Sequence, residues 1–298
     1  MKRILSILTI FIFALQVQAQ VKVTNLLCEN LRDPQGIDEV MPRLSWQIQS
    51  EQRNVMQSGY HVIVATTEEK LNRNEGDLWN SGLIQSSASV LVPYVGKKMQ
   101  SRMQCFWKVK VVTSKGKSEW SEPAMWSVGL LNKADWKATW IGYDKASSWD
   151  SLTTWSRLSA RYLRKEFSAS KTITKATVYI SGLGLYDMYL NGKKVDDRVM
   201  APLPTDYRQS VLYNTYDVTN HLQKGSNAIG IVLGNGRFFT MRQNYKPAKI
   251  NTFGFPKLLF QLEIVYSDGT KKMIVSDNTW KLNVDGPIRT NNEYDGEE

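Results

Sequence analysis

The strongest constraint in this sequence is a period of two in its apolar residues, the pattern of a β-strand that is buried on one face. The stretch "CFWKVKVV" alternates between an apolar face, Trp107, Val109 and Val111, and an opposite face, Phe106, Lys108 and Lys110. In "KLLFQLEIVY" the alternate apolar residues are Leu258, Phe260, Leu262, Ile264 and Tyr266. No long segment with the helical period of 3.6 interrupts these stretches. The sequence therefore predicts an all-β fold.

Residues 43–131 contain short strand-like runs separated by turn signals. The runs are "RLSWQI", "GYHVIVA", "SVLVPY", "QCFWKVKVV" and "MWSVGL". Strands at this spacing, with Trp46 in an early one, resemble a fibronectin type III domain, a two-sheet sandwich. The connecting stretch "LLNKADWKATWIG" indicates a domain boundary near Asn132. We therefore expect a fibronectin type III-like sandwich over residues 20–132.

The rest of the chain predicts a second all-β unit, a jelly-roll β-sandwich. Alternating runs surround Asn191-Gly192, a pair that favours a type I′ hairpin turn because both residues tolerate positive φ. The stretch "YDVTNHLQKG" predicts one short helical turn, with Val218 and Leu222 facing the core and Gly225 at its exit.

The first residues, "MKRILSILTIFIFALQVQAQ", predict a signal peptide over residues 1–19 and an exported, periplasmic or extracellular protein. No later apolar run is long enough for a membrane span. Cys28 and Cys105 fit either a disulfide or two buried free thiols. The formal net charge is +10, but the basic residues are scattered as short pairs, which argues against a nucleic-acid partner.

Sequence patterns for catalysis are weak throughout. Inverting hydrolysis of a glycoside needs two carboxyl groups on a rigid scaffold. The terminal acids Glu293, Asp295, Glu297 and Glu298 lie at a chain end and are expected to belong to a linker. His61 and His221 lack the neighbours of a nucleophilic site, and no residue spacing fits a zinc site. We therefore predict no catalytic residue in this chain.

Several longer motifs carry a family resemblance. They are "ARYLRKEF", "GLYDMYLNGKKVDD", "APLPTDYRQSVLYNTYDVTNHLQKGSNAIGIVLGNGRFF" and "GPIRTNNEYDGEE". Together they resemble the N-terminal region of bacterial α-L-rhamnosidases of glycoside hydrolase family 78, over essentially the whole mature chain. The resemblance implies a rhamnosidase N-terminal β-sandwich over residues 133–286, and the start of a linker over 287–298. It also implies a catalytic (α/α)₆ barrel that is missing here, so we expect this chain alone to be inactive.

Two loops of the second unit offer candidate carbohydrate-binding residues, because sugars need aromatic faces and planar polar groups. They are Asp206, Tyr207, Asn235, Arg237 and Phe238. Asp206 and Asn235 are also candidate calcium ligands, and no other cofactor is expected. Replacing either one with alanine should then abolish sugar binding and leave the melting temperature nearly unchanged. The alternative is that these loops only close the sandwich.

Two functions remain open from the sequence. The first is the accessory part of a secreted α-L-rhamnosidase that hydrolyses terminal α-L-rhamnose, with a rhamnose-containing glycan and the missing catalytic domain as partners. The second is a stand-alone carbohydrate-binding or surface-interaction protein without catalysis.

Overall fold

The computed structural model describes residues 21–150, 157–239, 252–292 and 296–297. The predicted signal peptide lies outside the described residues, as do Glu293, Asp295 and Glu298. The described part is built almost entirely of antiparallel strands, which confirms the all-β prediction. Its helices are short: the α-helix Glu68–Asn72 and single 3₁₀ turns at Lys133–Asp135 and Thr219–His221. In the described ranges, no helix has the length and apolar character required to cross a membrane.

The chain divides into two compact units, which are not separated by a single cut. Unit 1 contains the residues up to 33, together with 41–98 and 104–125. Unit 2 contains the residues from 126 onward, together with 34–40 and 99–103. Two short segments that precede residue 126 therefore belong to unit 2.

Unit 1 contains two antiparallel sheets. Its strands are β1 Lys22–Cys28, β2 Arg43–Gln49, β3 Gln57–Ala65, β4 Trp79–Asn80, β5 Val92–Pro93, β6 Gln104–Thr113 and β7 Gly116–Lys117. The boundary with unit 2 falls within β8, Ala124–Ser127. One sheet has the order β1-β2-β5 and the other contains β4-β3-β6-β7. Along β6, Trp107, Val109 and Val111 are buried, which confirms the predicted alternation.

Both cysteines of unit 1 are buried free thiols. Cys28 ends β1 and Cys105 lies at the start of β6. Burial, and then the nearby Asp77 carboxylate, raises the pKa of Cys105 to about 12. Burial also raises the pKa of Cys28. Because the thiolate is the reactive form of cysteine, both side chains behave as apolar packing residues near neutral pH.

Unit 2 contains two larger sheets around one apolar core. Its strands are β9 Ile141–Gly142, β10 Arg161–Ala169, β11 Ile173–Leu183, β12 Leu185–Leu190, β13 Lys193–Lys194, β14 Asn214–Asp217, β15 Gly225–Gly234, β16 Lys257–Tyr266, β17 Lys271–Val275, β18 Lys281–Asn283, β19 Asn291–Asn292 and β20 Gly296–Glu297. The sheet orders are β13-β12-β15-β10-β18 and β14-β11-β16-β17, with β9 also beside β16. The alternate residues predicted from "KLLFQLEIVY" all lie in the core.

Turns of unit 2 follow from a few residues with positive φ. Asn191 and Gly192 have φ of 51° and 81° and connect β12 to β13, which confirms the predicted hairpin. Gly184, with φ of 128°, connects β11 to β12. A Cβ atom at Gly184 would lie 2.1 Å from the carbonyl oxygen of Gly234, so only glycine fits this corner.

Ion pairs of Arg102 hold the segment 99–103 within unit 2. Its Nε lies 2.8 Å from Glu263 Oε2, and its Nη1 lies 2.8 Å from Asp135 Oδ1. Ser101 Oγ donates to Asp135 Oδ2 at 2.6 Å. Hydrogen bonds from Ser101 and Arg102 hold the pKa of the Asp135 carboxyl well below its usual range. The guanidinium therefore joins two carboxylates that are far apart in sequence.

Asp135→Asn should make unit 2 less stable at neutral pH but not at low pH. A carboxyl group with a depressed folded-state pKa stabilises the fold above its ordinary pKa of about 3.9, and this contribution is lost as the pH falls toward the folded pKa. The expected loss in the free energy of unfolding is about 1.5–3 kcal/mol at pH 7, the range for a hydrogen bond to a charged group. Urea unfolding between pH 2 and 7 measures the difference.

Asp197→Asn is the matched control, because Asp197 is exposed and forms no ion pair with the residues that the structure describes. An Asp135→Asn difference that stays constant from pH 7 to pH 2 would contradict the assigned role.

Candidate functional site

The predicted sugar-binding residues lie in loops of unit 2. Asp206 and Tyr207 belong to the long loop between β13 and β14. Asn235, Arg237 and Phe238 follow directly after β15. These two segments lie together in the fold. Tyr207 contacts Phe238, with ring centroids 5.1 Å apart.

Asp206 organises its own turn. Its Oδ1 accepts from the backbone N–H of Arg208 at 3.2 Å and from Arg208 Nε at 2.9 Å. Its Oδ2 accepts from Arg208 Nη2 and Gln209 Nε2, each at 3.0 Å. The hydrogen bond from Arg208 lowers the pKa of Asp206 to about 2. This is the self-closing turn that aspartate favours, and it fixes the direction of the Arg208 side chain.

An aromatic cluster supports this turn. Tyr207, Phe238 and Phe253 are in mutual contact, with the Tyr207 and Phe253 centroids 5.3 Å apart and the two phenylalanines 5.9 Å apart. The backbone N–H of Phe253 donates to the Phe238 carbonyl at 2.9 Å. Phe238 is 6% exposed and Phe253 is 42% exposed. Phe253 therefore presents an accessible ring, whereas Phe238 supports it from within.

An open groove of about 580 Å³ lies beside this cluster. Its lining residues are Pro204, Thr205, Asp206, Arg208, Arg237 and Phe253. The groove offers an aromatic face, two guanidinium groups and one carboxylate. A sugar ring can stack on such a face while planar polar groups bind its hydroxyls.

Asn235 does not line this groove. It is 2% exposed, and its Nδ2 donates to the carbonyl of Leu158 at 2.7 Å. Its Oδ1 is buried and has no hydrogen-bond partner among the described residues. Asn235 is buried because it continues the period of two of β15. Ile231, Leu233 and Asn235 are each two residues apart and all are buried.

The two candidate calcium ligands, Asp206 and Asn235, do not lie in one site. Calcium requires six to eight oxygen ligands, usually with several carboxylates. Both Asp206 oxygens already accept hydrogen bonds, and Asn235 lies apart in the interior. Across the part of the chain that the structure describes, no group of three or more His, Cys, Asp or Glu residues could hold a metal ion.

Phe253, Arg208 and Pro204 also line the groove, although no sequence pattern singled them out. Arg208 and Pro204 are neighbours of the predicted Asp206, so the motif "PTDYR" contained the signal. Phe253 comes from a third segment, immediately before β16, and its place depends on the pairing of distant strands.

The described residues form two units built of antiparallel β-strands, and the groove beside Phe253 is lined by loop residues of unit 2. Family comparisons are more specific. The family model described as "Rha78A-like, N-terminal immunoglobulin domain" matches residues 23–132. The model described as "Alpha-L-rhamnosidase N-terminal domain" matches residues 171–298. Immunoglobulin and fibronectin type III domains share the two-sheet sandwich architecture, so the first match agrees with the predicted fold class.

Relatives with these domains are named α-L-rhamnosidases. One from Formosa agariphila is 34% identical over 98% of this chain and 33% of its own length. One from Alteromonas sp. (strain LOR) is 36% identical over 90% of this chain and 29% of its own length. Among solved structures, an α-L-rhamnosidase from Dictyoglumus thermophilum is 38% identical, with a TM-score of 0.81 over 94% of this chain and 31% of that one.

This chain belongs to the α-L-rhamnosidases of glycoside hydrolase family 78 and corresponds to their N-terminal region. It spans about a third of the length of the curated relatives that it matches.

Asn235→Ala should destabilise unit 2, which revises the expectation of an unchanged melting temperature. The variant leaves the buried Leu158 carbonyl without its donor, at an expected cost of about 1–3 kcal/mol in the free energy of unfolding. Asp206→Ala serves as the comparison, because Asp206 lies in an exposed turn and its loss should change the melting temperature little. Thermal unfolding of both variants measures this contrast. Equal melting temperatures would contradict the interior role of Asn235.

Proposed function

We propose that this chain is the accessory N-terminal part of an exported α-L-rhamnosidase that hydrolyses terminal α-L-rhamnose from glycans. The observation that carries this proposal is the 34% identity to a named α-L-rhamnosidase over 98% of this chain. In the proposed organisation, a signal peptide over 1–19 precedes sandwich domains over 20–132 and 133–286. Residues 287–298 then begin a linker to a catalytic barrel.

The shifted carboxyl pKa values of the described residues have one direction. Glycoside hydrolysis requires a general acid whose pKa is raised so that it holds a proton near neutral pH. Within the described residues, every carboxyl group with a shifted pKa is shifted downward: Glu29, Glu69, Glu75, Asp77, Asp135, Asp206, Asp268 and Asp277. Such groups are anions that form ion pairs or cap turns.

Residues 20–298 alone should not hydrolyse an aryl α-L-rhamnoside. Release of 4-nitrophenol measures the reaction, and the product of the extended reading frame is the positive control. Preparations from a host without rhamnosidase activity exclude a contaminating enzyme. Turnover that co-purifies with residues 20–298 from such a host would contradict the proposal that these residues do not catalyse hydrolysis.

The groove beside Phe253 is proposed to hold rhamnose weakly. One exposed ring and a few exposed hydrogen bonds support a dissociation constant in the millimolar range, about 4 kcal/mol. Calorimetry with rhamnose at tens of millimolar should give heat with the parent chain and none with Asp206→Ala. Asp197→Ala, in the same long loop, should bind like the parent chain. Calcium should leave binding unchanged, because Asp206 is already engaged by Arg208.

Absence of heat with the parent chain would make these loops purely structural. It would leave the rhamnosidase assignment intact, because that assignment rests on the family relationship.

A second candidate is a stand-alone carbohydrate-binding or surface-interaction protein. The observation that favours it is the accessible groove itself, which needs no catalytic neighbour to contact a sugar. Extension of the reading frame separates the two proposals. Downstream codons for paired helices support the enzyme, and an immediate natural stop supports the binding protein.

A further inference from the structure

Two Asn-Gly pairs give this chain a chemically labile amide. The pairs are Asn191-Gly192 and Asn235-Gly236. Asparagine is a thermolabile residue, because the backbone nitrogen of the next residue can attack its side-chain carbonyl carbon. A glycine in the next position hinders this attack least, since it has no Cβ atom. The reactivity of each pair in the native protein therefore depends on how the fold holds it.

The pair Asn235-Gly236 is closed to this reaction. Asn235 is 2% exposed, and Gly236 is buried as well. The backbone N–H of Gly236 donates to the carbonyl of Asn291 at 3.3 Å. The attacking nitrogen is therefore hydrogen-bonded and screened from the solvent base that must remove its proton.

The pair Asn191-Gly192 lies at the surface, in the turn of the hairpin between β12 and β13. Both residues are exposed, and a Cβ atom at Gly192 would have no heavy atom within 4 Å. In the part of the chain that the structure describes, the backbone N–H of Gly192 donates no hydrogen bond. Solvent can therefore reach the nitrogen that would attack.

The side chain of Asn191 is nevertheless held by three hydrogen bonds. Its Nδ2 donates to the carbonyl of His221 and to Asn227 Oδ1, each at 2.9 Å. Its Oδ1 accepts from the backbone N–H of Ala228 at 2.9 Å. Closure of a ring onto Gly192 turns the side chain toward the backbone and expels Nδ2, so these hydrogen bonds must break. The fold therefore opposes the reaction through the amide of Asn191.

Asn227 is the side chain among these partners, and it is fixed from outside the hairpin. It is 3% exposed, and its Nδ2 donates to the carbonyls of Gln223 and Gly225 at 2.7 and 3.0 Å. Its Oδ1 also accepts from the backbone N–H of Gln223 at 3.0 Å. The turn before β15 therefore holds the acceptor that the amide of Asn191 binds.

We propose that Asn191 is a site of spontaneous deamidation, and that its hydrogen bonds to His221, Asn227 and Ala228 set the rate in the folded protein. A bond forms between Gly192 N and Asn191 Cγ, the Cγ–Nδ2 bond breaks, and the N–H proton leaves with ammonia. Water then opens the succinimide ring to aspartate or isoaspartate.

The product cannot restore the original hydrogen bonds. A carboxylate oxygen in the place of Nδ2 would face two acceptors, the His221 carbonyl and Asn227 Oδ1, and neither can donate to it. Isoaspartate also adds a methylene group to the backbone of a two-residue turn, which the type I′ geometry does not accommodate. Deamidation of Asn191 should therefore detach this hairpin from the start of β15.

Mass spectrometry of tryptic peptides tests this proposal. The purified chain is incubated in mildly alkaline buffer, either folded or in guanidinium chloride, and is digested at intervals. Peptide 176–193 contains Asn191 as its only asparagine and no glutamine, so its gain in mass reports this residue alone. Peptide 225–237 contains Asn227 and Asn235, which fragment spectra separate. Asn191 should convert more slowly in the folded chain than in denaturant, and Asn235 more slowly still.

Asn227→Ala is the decisive variant, because it removes one acceptor of the Asn191 amide. It should speed the conversion of Asn191 in the folded chain about fivefold, the equivalent of one hydrogen bond of average strength, and leave the rate in denaturant unchanged. Asn214→Ala is the matched control. It removes a hydrogen bond to Tyr186 Oη at 2.7 Å in the same unit, and it should leave the conversion of Asn191 nearly unchanged.

Gly192→Asn tests the chemistry without removing a hydrogen bond of Asn191. Asparagine tolerates the positive φ of this turn position, so the hairpin should be kept. The added Cβ hinders the attack, so position 191 should convert more slowly both in the folded chain and in denaturant.

Three outcomes would overturn the proposal. The first is an equal rate for Asn191 in the folded and the denatured parent chain. The second is no acceleration by Asn227→Ala, or an equal acceleration by Asn214→Ala, which would assign the rate to general loss of stability. The third is faster conversion of Asn235 than of Asn191 in the folded chain. Failure of the rhamnose experiment would not affect this proposal, because no sugar takes part in the reaction.

Discussion

The burial of one face of each sheet is the constraint on which unit 2 depends. β11 pairs with β16 over nearly its whole length, and β10 pairs with β15 without a break in register. A slip of one residue in either pair would turn the core residues outward, so the register is strongly specified. The loops at the ends of these strands then occupy fixed positions, although their own residues contribute little to the core. Asp206 and Phe253 can therefore lie beside one groove without setting the fold.

Sequence patterns predict the parts of this fold that depend on local periodicity. The core residues of β16 and the hairpin at Asn191-Gly192 follow from alternation and turn chemistry alone. The candidate site is harder, because it combines three segments that only the strand order brings together. Asn235 shows the difference: its motif suggested a loop ligand, but the inward period of β15 carries it into the interior. Asp206 and Arg237 do reach the groove, and their role in binding stays a prediction.

Arg102 holds an early segment of the chain within unit 2. Its guanidinium binds Asp135 and Glu263, so residues 99–103 belong to unit 2 even though they precede β6 in sequence. No local pattern marks Arg102 among the other basic residues. Its role depends on two carboxylates that are 33 and 161 positions away along the chain.

The two buried thiols allow unit 1 to be labelled selectively by thiol reagents. Cys28 and Cys105 are the chain's cysteines, and both belong to unit 1. Since their raised pKa values suppress the thiolate and packing excludes reagents, alkylating dyes will react only when unit 1 opens. The kinetics of such labelling would report the opening of this unit alone, in a protein whose bulk spectroscopic signals come from both. A cysteine introduced in the core of unit 2 would report the opening of that unit in the same way. The labelling rates of the two units could then be measured separately.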